Sequence, residues 1–126
     1  MDKLYIPGDL VYIHGSLRII SNCDGYYATY YDEDETLQEV NVNVIEGIPL
    51  TPEILEKNGW RTQNRWYYYL DVAEGFISYI GIDFKHKSNK GHLYVEIDGN
   101  NMVEIQYCHE LQHFLFGLGI NHEMEV

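Results

Sequence analysis

The chain has 126 residues, 45% of them hydrophobic and 14% aromatic, enough to build a packed interior and too apolar for a disordered segment. Its 20 acids against 8 bases give a formal charge of -12, which excludes direct nucleic-acid binding through the phosphate backbone and directs charged contacts to basic partners. The longest apolar runs, Phe76 to Ile82 and Phe114 to Ile120, reach about a third of a membrane span, so no membrane contact is expected.

The opening Met1-Asp2-Lys3-Leu4-Tyr5-Ile6-Pro7 lacks the charged-then-apolar order of a signal sequence and points to a reducing cytoplasm. Cys23 and Cys108 are too few and too far apart for a metal knuckle, while a disulfide between them stays open. The length fits a single domain over 1–126. Within it we expect a β portion over 1–47, a helical connector over 48–60, and a β-meander with a C-terminal helix over 61–126.

In chain order, Asp9 to Ile13 reads as a strand ending at His14-Gly15, and Leu17 to Ile20 follows. Asn22-Cys23-Asp24-Gly25 is a turn, with Asp-Gly able to supply positive φ. Tyr26 to Tyr31 is aromatic and β-favouring, and Gln38 to Val44 alternates polar and apolar as a half-buried strand does. These short strands imply a small, curved antiparallel sheet, with the N-terminal half expected in SH3-like form. The acidic run Asp32-Glu33-Asp34-Glu35 between them lacks the alternating ligands and central glycine of an EF-hand, and reads as a solvated loop tip.

Ile48 to Trp60 carries a complete helix signature. Thr51 is the N-cap, Pro52 the first helical residue, Glu53 the acid of the first turn and Lys57 the base of the last, with Asn58-Gly59 as the closing cap. Ile54, Leu55 and Trp60 give it a docking face. Strands are then expected over Arg65 to Asp71, Phe76 to His86 and Gly91 to Ile97, with turns at Ala73-Glu74-Gly75, Ser88 to Gly91 and Asp98 to Asn101. The fold class is therefore α+β: a curved antiparallel sheet, a short central helix and a C-terminal amphipathic helix.

That last helix, Tyr107 to Ile120, contains the one catalytic-looking motif, His109-Glu110-Leu111-Gln112-His113. Histidines at i and i+4 can reach one zinc ion, with Glu110 polarising its bound water. A third ligand is harder to find. The metzincin position, six residues after His113, is Gly119, and His14, His86 or His92 would have to close the site from upstream. On a helical wheel, Tyr107, Cys108, Leu111, Phe114, Leu115 and Leu118 form the core face, which puts His109, Gln112, His113 and Phe116 on the wet side as a polar-aromatic binding surface. Phe116 there needs a partner, or cover from Ile120 or the tail. The leading expectation is no catalytic residue, no metal and no cofactor; the alternative is a small zinc-dependent hydrolase using His109, Glu110 and His113. The serines lack the glycine context of a nucleophile elbow, Cys108 points inward, and nothing singles out Glu74 or Asp83 as paired acids. Mimicry of nucleic acid would require the carboxylates to stand in rows.

Taken together, the segment Ile48-Pro49-Leu50-Thr51-Pro52-Glu53-Ile54-Leu55-Glu56-Lys57-Asn58-Gly59-Trp60 and the later Tyr107-Cys108-His109-Glu110-Leu111-Gln112-His113 resemble a family of small uncharacterised proteins carried by phages and mobile elements of Bacteroides-type bacteria. The resemblance covers about half the chain and brings no activity with it. Its pattern admits asparagine at the position of His113, which would weaken a zinc site there. It implies an accessory protein in the bacterial host cytoplasm that binds a protein partner, with host machinery among the candidates and homo-oligomerisation left open.

Overall fold

The expected strand segments form because their alternating residues give each strand one apolar face, which antiparallel pairing can bury. In the computed structural model, which describes residues 4–126 with the backbone alone at 73 and 74, they build two antiparallel sheets. Met1-Asp2-Lys3 of the expected leaderless start, and the carboxylate of Glu74, lie outside the described residues. The chain divides into two compact units. Unit 1 runs to Pro49 and resumes over Tyr107–Met124, while unit 2 comprises Leu50–Gln106 with Glu125–Val126.

Unit 1 contains β1 (Leu10–Ile13), β2 (Ser16–Cys23), β3 (Tyr27–Tyr31), β4 (Leu37–Asn41) and β5 (Ile45–Gly47). They lie in the order β4-β3-β2-β1-β5, with a 3₁₀ turn over Val42–Val44 ahead of β5. This is the curved antiparallel sheet the sequence implies; it remains open and does not close into an SH3-type barrel. The register shifts between Ile20 and Asn22 opposite β3, a bulge that bends the long β2. The inner face packs Tyr5, Val11, Ile13, Ile20, Ala28, Tyr30, Val42 and Ile45. The last helix, α2 (Cys108–Gly117), belongs to this unit rather than to the meander that precedes it.

Unit 2 opens with α1 (Pro52–Lys57), where Thr51 Oγ1 accepts from Ile54 N at 3.3 Å. Gly59, at φ +84°, supplies the left-handed residue that ends the helix. Leu55 and Trp60 are buried. The sheet follows as β6 (Arg61–Thr62), β7 (Tyr67–Glu74), β8 (Ile77–Asp83), β9 (Leu93–Ile97) and β10 (Asn100–Ile105), in the order β10-β9-β8-β7-β6. Tyr68, Ile80, Ile82, Val95 and Ile105 are buried in it. β10 takes up the Asn100-Asn101 that the sequence reads as turn, leaving Asp98-Gly99 to make the bend.

The chain leaves and re-enters unit 1 at adjacent points. Pro49 and Tyr107 form an antiparallel bridge, and Cys108 N donates to Ile48 O at 2.8 Å. In unit 2, Leu50 N likewise donates to Gln106 O at 3.0 Å.

Candidate functional site

The helix that carries the His-Glu-x-x-His spacing begins at Cys108, because Tyr107 is extended (φ -119°, ψ 154°). Glu110 Oε1 accepts from Tyr107 N at 2.9 Å, the reach-back bond of a capping arrangement, with the carboxylate near the positive end of the helix dipole. The residue cast as general base in the zinc reading is thus engaged as the cap of its own helix. The Tyr107 ring lies flat against Gly47, where a Cβ would come within 2.5 Å of it, and it stacks parallel on His109 with centroids 5.7 Å apart.

His109 is enclosed on three sides by rings. Besides Tyr107 it meets Tyr5 at 5.1 Å and His113 at 5.7 Å between centroids. Burial pushes its pKa below the ordinary value of 6.5, with the carboxylates of Asp9 and Glu110 pulling the other way, so the ring is neutral at pH 7. Its Nδ1 is buried with no hydrogen-bond partner. Because the folded pKa is the lower one, the unfolded chain binds the extra proton. Stability is therefore fully present above pH 6.5 and falls as acid carries the pH toward the folded value. His109→Phe should remove this part of the acid-side slope in urea midpoints measured between pH 7.5 and 5.5; an unchanged slope would assign it to other groups.

His113 turns to the other side and meets a residue that no spacing argument selects. Its Nε2 lies 2.6 Å from Asp9 Oδ2. Asp9 is completely buried, and the same oxygen accepts from Ile6 N at 2.9 Å, while Oδ1 has no partner. A buried carboxylate holding an imidazole orients the ring and fixes which nitrogen faces it. The Pro7-Gly8-Asp9 turn could be read locally as a turn, but nothing local links it to a histidine 104 positions later.

Gln112 is where the wheel misplaces a residue most clearly. Expected on the wet face, it is 0% exposed. Its Oε1 accepts from Leu10 N at 2.9 Å, and its Nε2 donates to Gly8 O at 2.8 Å and to His122 O at 3.0 Å. The amide joins α2, the start of β1 and the returning tail, and it is tolerated in the interior because it supplies partners to Leu10 N and Gly8 O while its own polar atoms are satisfied. A wheel that scores hydrophobicity cannot see this. The wheel errs in the other direction at Leu118, which is 37% exposed, whereas Cys108, Leu111 and Leu115 are buried as expected.

The four residues expected to form one surface therefore separate. Gln112 is interior, His109 and His113 are half-buried, and Phe116 is 56% exposed. The tail does meet Phe116, with His122 edge-on at 5.0 Å, without covering it. Cys108, wholly buried, has its thiol pushed up to about 12 by desolvation and stays protonated; no disulfide joins it to Cys23.

Two of the upstream histidines weighed as third ligands are placed by the structure. His14 sits exposed in the β1–β2 turn at φ 51°. His86 gives its Nδ1 to Asp83 Oδ2 at 2.9 Å. The buried Asp83 also accepts from Lys85 N and His86 N; burial raises its pKa, but these bonds outweigh it and hold the carboxyl below its usual range. It closes a turn. Among the described residues, no group of three or more His, Cys, Asp or Glu side chains is placed to hold a metal ion. Compared with family models, curated proteins and solved structures, the chain matches none.

Proposed function

We propose that this chain is a non-enzymatic protein-binding module, an accessory protein of a phage or mobile element that engages a host protein in the bacterial cytoplasm. The observation that carries the reading is Phe116, more than half exposed at the C-terminal end of α2, with Leu118 exposed nearby. An aromatic ring and an aliphatic side chain left wet at a helix end form the kind of patch that a partner buries. The motif residues support it from the other side. Glu110 is engaged in capping, Gln112 in clamping and His113 in pairing with Asp9, so their conspicuous spacing has a structural use.

The test leaves those buried contacts alone. Phe116→Ser with Leu118→Ser should keep the fold and reduce capture of a stoichiometric host protein by about tenfold, the scale on which one aromatic anchor acts. Equal capture by a folded variant would remove this face. Zinc titration of the same wild-type protein beside His109→Ala is expected to show no tight site. A tightly held zinc lost in the variant would replace this reading with a hydrolase using His109, Glu110 and His113.

A further inference from the structure

We infer that the outer face of the unit 1 sheet is a second docking surface, which takes an extended segment of a basic partner protein with apolar side chains beside Lys or Arg. This rests on the reading of the chain as a protein-binding module and adds a surface that Phe116 does not supply. Strand alternation sends Ile20, Ala28 and Tyr30 inward and leaves the opposite set outside. Tyr31 pairs directly with Leu37, and the Ile20–Tyr30 register places Ile19 beside Tyr31. Ile19, Tyr31 and Leu37 thus form one unbroken apolar row across β2, β3 and β4, exposed by 59%, 59% and 53%. Leu17 extends it along β2, and an open depression of about 460 Å³ lies over Leu17, Ile19 and Tyr31.

The choice of occupant follows from charge. The turn joining Tyr31 to Leu37 is the acidic run. Asp32 builds it, accepting from Asp34 N, Thr36 N and Gln38 Nε2, and Glu33 pairs with Arg18 at 2.8 Å. Asp34 and Glu35 remain exposed at the end of the apolar row, with Glu39 exposed further along β4. A second copy of a chain with formal charge -12 would bring like charge to this rim, whereas a basic segment is steered toward it. β4 is also an edge strand, so an extended segment can add to it through backbone hydrogen bonds.

The probe is a short synthetic peptide of alternating Leu and Lys, titrated into the full ¹⁵N-labelled chain, with Leu/Glu and Ser/Lys peptides as controls. Shifts are expected at the amides of Leu17, Ile19, Tyr31 and Leu37. Affinity should fall about tenfold in Ile19→Thr/Tyr31→Thr, the scale of a lost apolar anchor pair, and about threefold in Asp34→Asn/Glu35→Gln or on raising the salt. The controls should bind at least as weakly as the first variant. Shifts located elsewhere, or equal affinity in a folded Ile19→Thr/Tyr31→Thr chain, overturn the proposal. So does concentration-dependent dimerisation that this variant abolishes, since the occupant would then be a second copy. If it fails while host capture through Phe116 persists, the binding-module reading stands; if capture fails while the peptide still maps to Ile19 and Tyr31, only the Phe116 face is lost.

Discussion

Asp9→Ala should destabilise the protein by about 3 kcal/mol, since each buried hydrogen bond left unmade costs about 1–3 kcal/mol. The substitution removes the acceptor shared by His113 Nε2 and Ile6 N, leaving an amide without its partner and α2 held to the first turn by Gln112 alone among these side chains. Part of the loss is offset, because Asp9 Oδ1 is itself buried and unpaired, and removing it relieves a desolvation cost. His113→Ala should cost less by itself, since the histidine side chain is about one-third exposed. Urea midpoints of the two single variants and the double variant give the coupling directly. A coupling below about 0.5 kcal/mol would mean that the 2.6 Å contact contributes little to holding the helix.

Gln112→Leu should cost as much or more, about 3–4 kcal/mol, although leucine is similar in size and more apolar. Each buried donor or acceptor left unmade costs about 1–3 kcal/mol, and this change orphans Leu10 N, Gly8 O and His122 O. Amide hydrogen exchange gives a local readout: Leu10 should lose protection by far more than residues of β3. Wild-type protection at Leu10 in a folded Gln112→Leu chain would show that its amide finds another acceptor and would refute the clamp. A gain in stability would show that burial, rather than the amide's bonds, sets the energy of this position.

What could be read from the residues divides by range. The helix over Pro52–Lys57 was legible because every signal for it, from Thr51 to Gly59, acts within one or two turns. The strands were legible where aromatic, β-favouring residues cluster, as in β3, or where two-residue alternation runs long enough, as in β4. Ile45–Gly47 was missed because three residues carry no periodicity, and β10 because its opening Asn-Asn looks like a turn. The curved sheet, central helix and C-terminal helix are all present. The candidate site was half legible: the helix, the exposure of Phe116 and the burial of Cys108 followed from the wheel, but the interior position of Gln112 did not. Gln112 and His113 are defined by partners more than 100 positions away, and a pattern along one helix contains no information about them.

The return of α2 to the first strands has a consequence for the order in which a nascent chain matures. Unit 1 is written in two instalments, with Leu50–Gln106 of unit 2 between them, so the ribosome delivers β1 to β5 before the helix that clamps Gly8 and Leu10. The inserted sheet, with Leu50 N and Gln106 O already joined at its neck, can assemble while the earlier strands still wait for Gln112. A chain halted after Gln106 would therefore hold Gly8 O and Leu10 N without the Gln112 amide that binds them.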